Sequence, residues 1–158
     1  MTTRSVDDWL NEYSASHLNP FNKAMHWVCV PSIVFSLFMA LKCVPVGTPL
    51  FNLATLALAL SLGYYLRLSW RLAIGLALVM LPMYGLILAI EQAAGAYTIA
   101  VATGIFVVAW IGQFIGHHVE GARPSFLKDV QFLMIGPLWL LADVYRRADI
   151  ELGGRVHG

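Results

Sequence analysis

Four stretches of nearly unbroken apolar sequence, 25–41, 50–66, 72–90 and 97–115, constrain this chain more than anything else in it. Each approaches the roughly 20 residues that a helix needs to cross a hydrocarbon core. Lipid offers the backbone no hydrogen-bonding partner, so only helices and closed barrels span it. Long apolar runs without strict alternation select the helix. Composition agrees: of 158 residues, 59% are hydrophobic and 12% charged, with mean hydropathy +0.71, which is not a soluble composition. The expectation is an all-α integral membrane helical bundle. It forms a single domain over 1–158, with spans at 20–42, 50–67, 71–91 and 96–119. The first two runs are short and lean on their flanks, and Pro82 is expected to kink the third span. A formal net charge of +1 without a basic block excludes nucleic acid as a partner. The polar, acidic start MTTRSVDDWLNEY is unlike a cleavable signal, so the spans are expected to serve as the targeting signal. Cys29 and Cys43 on one helix would stand about 20 Å apart, too far for a disulfide, and read as packing thiols.

The segments outside the four runs also carry helical signals. Over 5–18, Val6, Leu10, Tyr13 and His17 recur at helical spacing and Ser5 with Asp8 forms a capping box, giving an amphipathic helix whose apolar stripe ends on His17. Asn19-Pro20 stops it and starts the next helix, Asn as cap and Pro at the first position. A fifth apolar run, 132–142, is too short to span and contains Gly136-Pro137. It reads as a re-entrant or interfacial half-helix over 126–147. With four spans, Arg4, Lys23, Arg67, Arg71, Arg123 and Lys128 fall on one side, and Lys42 and Glu91 on the other. The positive-inside rule makes the first side cytoplasmic, in a bacterial inner membrane or a eukaryotic endoplasmic reticulum. Trp27, Trp70, Trp110 and Trp139 read mostly as interfacial anchors. Gly112 and Gly116, four apart, let another helix approach closely, within one chain or between copies, so a homo-oligomer stays open.

The histidines then stand out. His17 and His26 flank the cytoplasmic entrance of the first span, and His117 and His118 the exit of the fourth, while His157 lies in the tail. Polar side chains near a membrane are expensive and by default functional. Gln113, His117 and Glu120 share one helix face, and His118 is rotated from it by about 100°. His17 and His26, nine apart, could aim at one point because the chain breaks at Asn19-Pro20. Imidazole suits iron, zinc, copper and nickel, and Glu120 would complete a 2-His-1-carboxylate pattern. Two metals are not expected: the histidines are too few, and carboxylate-bridged di-iron sites need several glutamates. HExxH, GxSxG and phosphate-loop motifs are absent. A single-zinc lipid hydrolase and a non-enzymatic lipid-binding or assembly protein remain as alternatives.

Two stretches carry a family resemblance: SHLNPFNKAMHWVCVP (16–31) and WIGQFIGHHVEGARPSFLKDVQFLMIGPLWLLADVYRR (110–147). Together they resemble the fungal 2-hydroxy fatty acid dioxygenases of phytosphingosine breakdown and their bacterial relatives. The resemblance implies an Fe(II)-dependent membrane enzyme that takes a 2-hydroxy fatty acid and O2 to the fatty acid one carbon shorter, among membrane lipid. Carried onto this chain, it implies His17, His26 and His117 as metal ligands, with His118 ranked below them. It implies Glu120 and Gln113 at the reaction centre, and Asn22, with Gln113, as a group that orients rings. Arg123 could pair with the substrate carboxylate.

Overall fold

A computed structural model describes residues 4–124 and 131–153, and among these the regular structure is helical. The elements are α1 (Val6–Ser14), α2 (Pro20–Lys42), α3 (Leu53–Leu68), α4 (Trp70–Ala94), α5 (Thr98–Glu120) and α6 (Phe132–Arg147). A single 3-10 turn, Gly95–Tyr97, separates α4 from α5. Residues 126–130 of the expected half-helix, and His157, lie outside the described residues.

Local chemistry explains most of the boundaries. Ser5 and Asp8 form the reciprocal capping box that starts α1. The Asn19 side chain accepts from the Phe21 amide and Pro20 opens α2, where a missing N–H goes unmissed. Asn52 caps α3 and Ser69 caps α4. Pro31 lies within α2, Pro82 within α4 and Pro137 within α6, and each helix continues through its proline. Gly121, at φ 71°, ends α5. Gly121 N–H and Ala122 N–H reach back to the carbonyls of His118 and His117, a left-handed cap that suits glycine.

Two stretches, Pro20–Lys42 and Trp70–Glu120, are long and apolar enough to cross a membrane, and Leu53–Leu68 is a shorter apolar helix. Many large apolar side chains on these helices face outward, among them Leu60, Leu78, Leu81 and Val108. A continuous apolar exterior of this kind suggests a membrane setting.

The helix pair that matters most for the site is α2 against α5, the most extensive helix contact among the described residues. It is close because α5 has no side chain in the way. A Cβ at Gly112 would come within 2.6 Å of Cys29 Sγ, and one at Gly116 within 2.6 Å of Asn22 Oδ1. The small-residue stripe therefore serves contact inside the chain, the first of the two alternatives read from its spacing. It gives no support to a homo-oligomer.

Helix α6 is tied to one end of the bundle at both of its own ends. Phe132 packs on Trp9 and Tyr13 of α1, while the Tyr145 hydroxyl donates to the Arg71 carbonyl at the start of α4, 2.9 Å. The Tyr65 hydroxyl, near the end of α3, donates to Met134 O at 2.9 Å. The strap beyond α6 continues the attachment, with Arg71 paired to Glu151 at 2.8 Å and the Ser69 hydroxyl bonded to Leu152 O. These contacts lay α6 along the same end of the bundle as α1.

Candidate metal centre

Three buried histidines meet between α1, α2 and α5. Helix α1 stops at Ser14, short of the residue 18 expected from the sequence, and His17 lies on the connection to α2, continuing the buried stripe of Val6, Trp9, Leu10 and Tyr13. His26 lies on the second turn of α2, and His117 on the last turn of α5. Ring centroids are 4.3 Å apart for His17 and His26, and 5.0 Å for each of them with His117. One ring nitrogen from each lies within 4.8 Å of those of the others, so the three could hold a metal ion. Nitrogens about 2.1 Å from a shared ion stand roughly 3–4 Å apart.

The hydrogen bonds decide which nitrogens are available. His17 Nδ1 is 2.5 Å from the Tyr13 carbonyl, and His26 Nδ1 is 2.9 Å from the Asn22 carbonyl. A carbonyl oxygen only accepts, so each Nδ1 carries the proton and each Nε2 presents a lone pair. The two Nε2 atoms face each other at 2.8 Å. Two lone pairs at that distance repel unless a cation shared by both offsets the repulsion. On the third ring, His117 Nδ1 is buried without a hydrogen-bond partner, a condition that normally costs about 1–3 kcal/mol. The residues therefore fit a metal. They present neutral imidazoles, two of them fixed in tautomer by backbone carbonyls, which is how ligating histidines are commonly oriented. Burial lowers the pKa of His17 to about 4, so this ring is in its ligating form at pH 7.

Aromatic side chains wall the site. Tyr13 stacks on His17 at 4.1 Å with an interplanar angle of 9°. Trp139 of α6 stands 5.3 Å from His17, its indole N–H donating to Ser14 Oγ. Trp139 is thus a buried wall of the histidine site, not the interfacial anchor that its type suggested. Neither Tyr13 nor Trp139 is singled out by sequence as a site residue. The signal for Tyr13 was its place one turn before His17 on the same stripe.

The other sequence candidates separate clearly. His118 is exposed, turned away from the cluster by the 100° that one helical residue imposes, and it stands outside the three-histidine group. Glu120 is also outside that group. Its carboxylate accepts from Leu18 N at 2.9 Å, Asn19 N at 2.9 Å and Asn22 Nδ2 at 3.1 Å. It fastens the end of α5 to the α1–α2 connection, between the two residues whose rings must meet. Asn22 is fully buried, holding Glu120 with its amide and His26 with its backbone carbonyl. Gln113 is buried one turn before His117 and, with His26 and His117, lines a cavity of about 50 Å³. Arg123 is exposed just beyond α5.

Comparison with known proteins adds a family to this geometry. Residues 3–148 match the family described as 2-hydroxy-palmitic acid dioxygenase Mpo1-like. The chain is 32% identical over 135 residues to the 2-hydroxy-palmitic acid dioxygenase MPO1 of Saccharomyces cerevisiae, an alignment covering 84% of this chain and 75% of the yeast protein. No solved structure matches.

Proposed function

The chain belongs to the Mpo1-like family of 2-hydroxy-palmitic acid dioxygenases, and from that premise we propose that it is a membrane-embedded non-haem iron enzyme. Its reaction is the α-oxidation of a 2-hydroxy fatty acid with O2 to the fatty acid one carbon shorter. One observation carries the reading: two lone-pair nitrogens, His17 Nε2 and His26 Nε2, are aimed at each other at 2.8 Å beside a third buried imidazole. The substrate supplies the electrons that O2 takes up, so no 2-oxoglutarate is called for.

His17, His26 and His117 hold Fe(II), which when bound supplies the redox chemistry that couples O2 to cleavage of the C1–C2 bond. The Tyr13 and Asn22 carbonyls keep the protons of His17 and His26 on Nδ1, leaving Nε2 free to bind. Tyr13, Phe132 and Trp139 exclude water from the rings. Gln113 presents an amide beside His117 that can orient the substrate hydroxyl or carboxylate. Arg123 offers a positive charge to the arriving carboxylate. Glu120 acts through the backbone: by holding Leu18 and Asn19 it sets the bend that brings His17 over His26. Helices α2 to α5 are read as the four spans. The histidines and the N-terminus face the cytoplasm, on the Lys/Arg asymmetry of the connections.

Three neutral imidazoles are also a set that zinc accepts, so the deciding experiment separates the metals. Detergent-purified protein is loaded with Fe(II) anaerobically, then given 2-hydroxypalmitate with and without O2. The expected result is about one iron per chain, O2 consumption and a fifteen-carbon fatty acid. Cleavage of an ester or amide lipid, offered beside the hydroxy acid to zinc-loaded protein without O2, would replace this reading with hydrolysis. Absence of both metal and turnover would leave a lipid-binding protein.

A further inference from the structure

A second cavity, about 150 Å³, lies beside the first between α2, α4 and α6. Its lining includes Trp27, Pro31, Met80, Met83, Pro137 and Leu141, and its surface is almost wholly apolar. It is separated from the histidine cavity by very little, because Val30 and Val34 line both. On α2, His26, Val30 and Val34 follow one another at i, i+4 spacing, so they stack on one face with a step of about 6 Å. The order along that face is a ring that can bind metal, then two short aliphatic side chains. On α6 the same transition occurs between neighbours: Gly136 lines the histidine cavity and Pro137 the apolar one. Both partition walls are thin. A Cβ at Gly136 would already lie 3.5 Å from Val30.

We infer that the apolar cavity between α2, α4 and α6 holds the acyl chain of the substrate, which passes Val30 and Val34 with its carboxyl end at the histidines. This rests on the reading of the histidine cluster as the reaction centre. The chemistry of the two cavities supports a single amphipathic occupant. The first is small and polar at His26, Gln113 and His117; the second is lined by methylene-like surface. Pro31 of α2 and Pro137 of α6 both line the cavity, and each lacks the N–H that a helical hydrogen bond needs there. Met80 and Met83 on the far wall are unbranched and adapt to chains of differing shape. The competing occupant is the tail of a bilayer lipid, which would have no reason to communicate with the histidines.

Two measurements test this. The first places Met80→Trp in the α4 wall and compares 2-hydroxy fatty acids of eight and sixteen carbons, with iron content measured beside activity. The variant should keep its iron, and its kcat/KM on the sixteen-carbon acid should fall tenfold or more relative to that on the eight-carbon acid, as obstructed methylenes imply. An unshifted chain-length profile with iron retained overturns the inference in favour of a bilayer lipid or simple packing. The second uses wild type, so folding of a variant is not at issue. A 2-hydroxy fatty acid with a diazirine at its far end is photolysed in the protein, and the labelled peptides are identified. Label on 76–83 or 137–144 supports the inference, and label confined to the outer surface of α3 and α5 overturns it. If label enters the cavity while no oxidation occurs with any chain length, the acyl site stands and the dioxygenase reading falls.

Discussion

The two ends of the bundle handle buried polarity in opposite ways. At the end away from the histidines, α2 finishes at Lys42, whose amine pairs with Glu91 at 3.1 Å. Asn52 accepts from Ala54 N and Thr55 N, and its amide donates to Pro49 O at 3.0 Å and Tyr84 Oη at 3.3 Å. Thr98 Oγ1 donates to Gly95 O. These groups spend their capacity locally, on caps and one ion pair. At the histidine end, two Nε2 lone pairs confront each other, and Asn22 Oδ1 and His117 Nδ1 are buried without partners. Size points the other way: the open cleft beside Lys42 is about 780 Å³ against about 50 Å³ at the histidines. Unspent hydrogen-bonding capacity, not volume, marks the place where chemistry is expected.

This contrast can be broken in graded steps. The largest effect is expected from His17→Ala, His26→Ala or His117→Ala. Each should abolish stoichiometric iron in purified protein and lower turnover more than a hundredfold, while circular dichroism stays helical. Retention of full iron by any one of them would remove that ring from the ligand set. Next, Glu120→Ala should weaken metal affinity about 10–100-fold, the range for groups that orient ligands, read by competitive chelation. Glu120→Gln should fall between this variant and wild type because it keeps part of the acceptor set.

At the opposite end the readout changes from metal to stability. Lys42→Met leaves the partly buried Glu91 without its partner and should cost about 1–3 kcal/mol in detergent unfolding. Asn52→Ala should lose about 1 kcal/mol, the usual worth of an N-cap, in the same unfolding, with iron content unchanged. Iron loss in either would contradict the division drawn between the two ends. The smallest effect is expected at His118: His118→Ala should leave iron stoichiometry within error of wild type.

Much of this division is readable in the sequence, residue by residue. The Ser5–Asp8 box and Asn19-Pro20 announce the surface helix and the bend after it, because capping is a local matter. The separation of His118 from His117 follows from the helical angle alone. Glu120 is harder. Its type and its face fit a carboxylate ligand, and only the fold reveals that backbone amides 102 residues away in sequence take its oxygens. Trp139 is legible as aromatic but not as a wall of the site, since that depends on α6 lying back against α1. Helix periodicity reports which residues share a face. It does not report which helices the tertiary fold presses together.

The clamp at Glu120 also bears on when the site can exist. His17 and His26 leave the ribosome before His117 and Glu120, with α3, α4 and most of α5 made in between. At ~5–20 residues per second, the first two rings wait roughly 5–20 seconds for the third. Closing so long a loop is unfavourable until α2 can dock on α5. On the proposed reading metal capture is a late event in biogenesis, because a chain that stalls before α5 is made lacks both the third ring and the carboxylate that sets the bend between His17 and His26. Iron bound per chain would then count the molecules in which α5 has docked on α2.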